Sequence, residues 1–177
     1  MAIRIERAGS ADLSELAAVA AATFPLACPP SAPADDVAAF IAGALTEAHF
    51  AGYLADPQRA VFIARQDGPI LGYAMVIDGE PTDADVQRAV PLRPAIELSK
   101  MYVLAQAHGS AVAAALMNAA VQYATEHEAR CLWLGVNQEN QRAQRFYRKH
   151  GYRVVGTKTF TLGGRIEQDY VLLRALP

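Results

Sequence analysis

The sequence predicts an α/β fold, one sheet with helices on both faces. Three observations predict it. Strand-like runs alternate with stretches of helical spacing along the whole chain. The chain has 177 residues, 53% of them apolar, enough for one domain with a substantial core. No internal repeat or low-complexity linker interrupts it, so residues 1–177 read as a single domain.

Residues 2–8 alternate Ile3 and Ile5 with Arg4 and Glu6, the pattern of a half-buried strand. Ser10 is a candidate N-cap. Leu13, Leu16, Ala17 and Ala20 then recur at helical spacing, predicting a helix to about Phe24. Pro25, Pro29, Pro30 and Pro33 predict a loop. A second helix is expected from Asp35 to Ala44. A third starts at Thr46, with Phe50 and Leu54 on one face. Residues 60–65 and Ile70–Ile77 read as a hairpin around Gln66-Asp67-Gly68-Pro69. Residues 78–94 are polar and carry Pro81, Pro91 and Pro94, predicting a long excursion between strands. A strand at 96–104, a helix from Ser110 to about His127, a strand at 131–136 and a helix from Glu139 to His150 follow. Gly151 stops that helix. Strands at about 152–161 and 165–174, joined by Leu162-Gly163-Gly164, close the chain.

Charge and composition exclude several functions. The net charge is −2, so a general nucleic-acid binder is not expected. No apolar run approaches the roughly 18 residues of a membrane span, and the first residues lack a signal peptide's apolar core. Cys28 and Cys131 lie far apart without a CxxC partner, and His49, His127 and His150 lack metal-site spacing. The expectation is a cytoplasmic protein with no metal. Residues 1–94 carry −6 and residues 95–177 carry +4. An acidic first half and a basic second half suit a protein that holds a cation on one side and an anion on the other.

Two segments carry the chemistry. The first is the turn from Tyr102 to Met117, where a strand gives way to small residues and a helix start. Unpaired amides and the helix dipole make such a turn an anion site, and small side chains let a pyrophosphate approach. The second runs from Asn137 to Tyr152. Asn140, Ala143 and Tyr147 recur at i, i+3 and i+7 and share a helix face, offering an amide, a gap and a phenol in line.

Together these segments resemble the GCN5-related N-acetyltransferase family. Asn140-x-x-Ala143-x-x-Phe146-Tyr147 followed by His150-Gly151-Tyr152 is similar to the family's N-x-x-A-x-x-F-Y-x-x-x-G-[FY] element. The turn resembles its [QR]-x-x-G-x-[GA] loop, with His108 at the Gln/Arg place and Ala111 and Ala113 at the glycine places. A second register from Gln106 reads Q-x-x-G-x-A, with Gly109 and Ala111. Ala111 departs from the usual glycine. Glu97–Val103, Thr23-Phe24, Trp133–Val136 and the tail from Gly156 to Leu173 look closest to bacterial spermidine/spermine N-acetyltransferases.

The resemblance implies a mixed, mostly antiparallel twisted sheet and amine acetylation from acetyl-CoA. It implies a cofactor site of Met101, Tyr102, Val103, His108, Gly109, Ser110, Ala111, Val112, Ala113, Ala114, Asn140, Ala143, Phe146 and Tyr147. The amides of about His108 to Ala114 would meet the pyrophosphate, and the strand carrying Met101 and Val103 would pair with the pantetheine arm. The Val103 amide would stabilise the oxyanion. A primary ammonium near pH 7 is neutral in only about one molecule in a thousand. Glu97 is therefore the candidate general base, directly or through water, and a structural or substrate-orienting role for it stays open. Tyr147 is the candidate proton donor to the departing thiolate. The expected acceptor is a small, cationic amine such as a polyamine, with Asp78, Glu80, Asp83 and Asp85 favouring it from the 78–94 excursion. A homodimer, a protein or peptide acceptor, and a non-catalytic acyl-CoA-binding module stay open.

Overall fold

The computed structural model describes residues 2–177. Seven strands form one sheet: β1 Arg4–Arg7, β2 Arg59–Arg65, β3 Ile70–Asp78, β4 Ala95–Val103, β5 Cys131–Asn137, β6 Arg153–Leu162 and β7 Arg165–Ala175. Their spatial order is β1-β2-β3-β4-β5-β7-β6. Each neighbouring pair is antiparallel except β4 and β5. Among the described residues six α-helices cover the sheet: α1 Leu13–Ala27, α2 Ala34–Ala44, α3 Glu47–Ala55, α4 Ala84–Ala89, α5 Val112–Glu126 and α6 Gln141–Lys149.

Alternation along the strands builds the two main layers. Phe62, Ala64, Ala74, Val76, Ile96 and Leu98 point one way and pack under α5 and α6, on Leu116, Met117 and Tyr147. Val61, Ile63, Tyr73 and Met75 point the other way, onto Leu16, Phe24 and Phe50 of α1 and α3. Val86 and Val90, on and just after α4, cover a third cluster with Trp133, Val171 and Leu173.

The expected elements form, with three differences. Helix α1 runs through Pro25 to Ala27 and closes on the Cys28 amide, which donates to the Pro25 carbonyl. The 78–94 excursion contains α4, whose N-cap Asp83 accepts from the amides of Asp85 and Val86. A 3-10 turn, Ala105–Ala107, separates β4 from the loop before α5. Among the described residues no single helix is long and apolar enough to cross a membrane.

Two features of β4 position the site. Lys100 pairs with Met75 and Leu98 with Val76, so Ser99 bulges out of the ladder and re-aims the following residues. On the other edge, β4 pairs with β5 only from Ala95/Cys131 to Glu97/Trp133. Beyond Glu97 the two parallel strands part, and a cleft opens between them.

Candidate active site

The cleft encloses about 360 Å³. The β4 side of its wall presents an unpaired backbone edge. The Leu104 amide donates to Leu71 on the β3 side. Ladder alternation therefore turns the amides of Tyr102 and Lys100 toward β3 as well, and leaves Met101 and Val103 facing the cleft. Helix α6 stands opposite. Asn140 caps it, accepting from the Ala143 amide at 3.2 Å, and thereby sets Ala143 and Tyr147 along the wall. Tyr147 is 8% exposed, and burial pushes its phenol well above the ordinary value. The phenol thus stays protonated at neutral pH. Its ring packs edge-on against Phe146 and Tyr152.

The segment after β4 and the start of α6 close one end of the cleft together. Arg142 donates to His108 Nδ1 at 2.6 Å, and His108 Nε2 lies 2.8 Å from the Val103 carbonyl. The three groups are satisfied together when the imidazole proton is on Nε2. In the loop before α5, the amides of His108, Ser110 and Val112 are taken by Ala105, Ala107 and the Ser110 hydroxyl. The amides of Gly109, Ala111, Ala113 and Ala114 remain without chain partners among the described residues. The expected run of free amides is therefore interrupted at every second position up to Val112. Gly109 adopts the left-handed conformation, φ +78°. Ala111 has φ −76° and ψ 0°, which any L residue adopts, so the methyl group imposes no backbone restriction.

Not every expected site residue reaches the cleft. Met101, Val103, His108, Asn140, Ala143, Tyr147 and Glu97 line it. Phe146 does not: its ring packs toward His150 and the core beneath α6. Val112, the first residue of α5, is buried in the core rather than in the cleft. Tyr102 lines the cleft with its ring on the opposite face of β4, beside Phe24 and Tyr73, while its amide faces β3. Gly109, Ser110, Ala111, Ala113 and Ala114 form the helix start beyond His108 and line no part of the enclosed volume.

On the α1–α3 face lies a charged and aromatic chamber that sequence reasoning missed. Phe24 stacks on Phe40 at 4.4 Å, and Phe40 meets Phe160 at 5.3 Å. Asp169 on β7 is 7% exposed and lines the cleft without a hydrogen bond or ion pair in the described chain. Burial raises its carboxyl to about 6, with Lys158 opposing and Glu167 reinforcing the rise. Lys158 is its cross-strand partner on β6. Glu97 shares this face. Burial raises its carboxyl too, while Lys158, Lys100 and Arg59 pull it down. Cys28 borders the chamber, its thiol pushed up to about 11 by burial and then by Glu167, so it stays a thiol.

The acidic excursion at 78–94 is not part of this chamber. Glu80 pairs with Arg93, Asp85 with Arg88, and Asp83 caps α4. The buried Val86 and Val90 hold this segment on another part of the sheet. Other acids of the first half are also paired away: Arg65 binds Glu6, Asp12 and Glu15 at 2.8–3.0 Å. The cleft's own carboxylates, Glu97 and Asp169, come from the basic half of the chain.

The Acetyltransferase (GNAT) family model matches residues 25–152, the span that holds both β4 and α6. The chain belongs to the GNAT family of acetyltransferases. An uncharacterized N-acetyltransferase of Mycobacterium tuberculosis (strain ATCC 25618 / H37Rv) is 50% identical over 165 residues, covering 93% of this chain and 98% of the relative. The PaiA N-acetyltransferase from Thermoplasma acidophilum, solved in complex with coenzyme A, superposes with a TM-score of 0.78. Identity there is 16%, over 99% of this chain and 100% of that one. A GCN5-related N-acetyltransferase from Rhodopseudomonas palustris superposes at 0.76, with 20% identity over 99% and 97% of the two chains. As a GNAT enzyme the protein uses acetyl-CoA as acyl donor. Its residues fit that substrate. The free edge of β4 matches an amide-bearing arm, and the unpaired amides at the start of α5 match a phosphate.

Proposed function

We propose that this GNAT enzyme acetylates a primary amine of a small, cationic acceptor of the polyamine class, in the cytoplasm. The observation that carries the reading is one cleft that holds the open edge of β4, the protonated Tyr147 phenol, the half-buried carboxylate of Glu97 and the buried one of Asp169.

Each group then has a task. The amides of Gly109, Ala111, Ala113 and Ala114 hold the pyrophosphate, aided by the α5 dipole. Met101 pairs with the pantetheine arm through its free backbone groups, while the Val103 carbonyl is held by His108 and the Val103 amide polarises the thioester carbonyl. The Asn140 carbamoyl oxygen is committed to the cap, which leaves its NH2 group for the donor. Glu97, directly or through water, accepts one proton from the incoming ammonium. The amine nitrogen attacks the thioester carbon, the C–S bond breaks, and Tyr147 supplies the proton that the sulfur takes up. A second proton leaves the nitrogen as the amide forms and restores the phenol, so the net release is one proton to solvent.

A screen for acetyl-CoA-dependent thiol release over polyamines, amino acids, aminoglycosides and short peptides tests this. Polyamines are expected to give the highest kcat/KM. Reaction confined to peptides or neutral amines would overturn the acceptor assignment. Binding of CoA without thiol release on any amine would overturn the catalytic one.

A further inference from the structure

We propose that Asp169 is the docking station for a second, non-reacting ammonium of the acceptor, so that the enzyme prefers α,ω-diamines to monoamines. The proposal rests on the acetyltransferase reading above and adds the residue that reads the far end of the substrate.

Four observations carry it. Asp169 is nine-tenths buried, lines the cleft and has no hydrogen-bond or ion-pair partner in the described chain. A buried carboxylate left without a partner is costly, and a cationic ligand relieves that cost. Second, the wall beside it holds only the Lys158 side chain. A Cβ at Gly135 would lie 3.2 Å from Asp169 Oδ2, 3.3 Å from Lys158 Cδ and 3.8 Å from Lys158 Nζ, so the missing side chain leaves room in which Lys158 stands near the carboxylate without forming an ion pair, and a ligand ammonium would join or displace it. Third, the neighbouring surface is aromatic. Phe24, Phe40 and Phe160 form a continuous cluster, and all three line the same cleft. Aromatic faces beside a carboxylate favour an alkylammonium, whose methylenes they cover and whose charge they attract.

The fourth observation is spacing. Glu97 is paired with Trp133 at one end of β5, and Asp169 with Asn137 at the other, on opposite edges of that strand. Strand rise and spacing put their Cα atoms roughly 16 Å apart. Both carboxylates line the one cleft, and Lys158 acts on each of them. The remaining gap is filled by a substrate with a cation at each end rather than by a single ammonium. Burial keeps the Asp169 carboxyl titrating near pH 6, so the docking charge is present above that pH and lost below it. The titratable and charged groups facing it are Lys158 on β6, Glu167 on its own strand, Tyr102 on β4 and, beyond Glu167, Cys28.

The test compares butane-1,4-diamine with butylamine in the thiol-release assay, alongside calorimetry of the diamine on the CoA-loaded full-length protein. Wild type is expected to prefer the diamine by at least tenfold in kcat/KM. That preference should decline as pH falls through about 6. Asp169→Asn should abolish both the preference and its pH dependence, and weaken diamine binding at least tenfold. Asp169→Glu should restore part of each, and unchanged acetyl-CoA affinity in both variants would show an intact fold. An unaltered preference or equal diamine binding in Asp169→Asn would overturn the docking role. If wild type releases no thiol with any amine, acetyl transfer falls, and the diamine calorimetry alone still decides for or against Asp169.

Discussion

Replacing Asp169 by Asn should make the protein more stable at neutral pH while impairing it as an enzyme. The carboxyl titrates near 6 in the folded chain against an ordinary 3.8, chiefly because burial penalises its charged form. Between those two values the folded chain holds a proton that the unfolded chain has released. Stability therefore falls as pH rises through this window, and above about 7 the folded state carries the whole cost of the buried charge. At 1.36 kcal/mol per tenfold change, the displacement corresponds to about 3 kcal/mol as an upper bound. Asparagine keeps the shape but forfeits the attraction of Lys158 and brings an amide that must itself be solvated. The expected net gain is about 1–2 kcal/mol at pH 7.5. For a chain of this length that raises Tm by roughly 2–8 °C. Urea and thermal unfolding of both proteins at pH 4.5, 6, 7 and 8 would measure it, and other titrating groups cancel in the difference. The gain should be small at pH 4.5, grow to about pH 6.5 and then level off. A variant less stable than wild type at pH 7.5, or a difference that ignores pH, would refute an unpaired buried carboxylate at this position.

Tyr147→Phe should lower kcat by about 100-fold or more with acetyl-CoA affinity nearly unchanged. The phenol makes no hydrogen bond within the described chain, so Tm should move by no more than about 2 °C; steady-state kinetics and a thermal scan check both. Asn140→Ala removes the cap on the Ala143 amide and should destabilise by about 1 kcal/mol while weakening acetyl-CoA binding in calorimetry. In Gly72→Ala the new methyl would lie 2.8 Å from the Tyr102 carbonyl oxygen, pushing on β4 from behind. It should cost about 1–3 kcal/mol in urea unfolding and raise KM for acetyl-CoA. Leu116→Ala, beneath α5 and fully buried, should cost about 2–5 kcal/mol in the same assay.

The donor half of the site was legible because it is local. The cap, the gap and the phenol of Asn140, Ala143 and Tyr147 repeat at one helical period, and the small residues after β4 abut a helix start. Spacing along one element is enough to place such groups on one face. Glu97 was legible too, but the acids of the 78–94 excursion were expected near the site because charge was counted along the chain rather than across the sheet. Asp78, Glu80, Asp83 and Asp85 look available in sequence, yet most of them find local partners. One signal would have pointed to Asp169. In β7, Glu167 and Asp169 share the parity of Val171 and Leu173, so two acids lie on the buried face of a strand. Buried acids without evident partners point to a ligand.

The sequence by itself determined the seven strands, five of the helices, the two-layer packing and the resemblance to an acetyl-CoA-using family, since these follow from periodicity and short motifs; α4 was hidden in a polar, proline-bearing stretch. Only the tertiary structure decided that β4 and β5 part after Glu97. It also decided that Lys158 and Asp169 face each other across β6 and β7, and that both side chains lie against Gly135. These relations join residues between 11 and 36 positions apart through sheet register. Register is set by how whole layers pack, a property that no single stretch of the chain encodes.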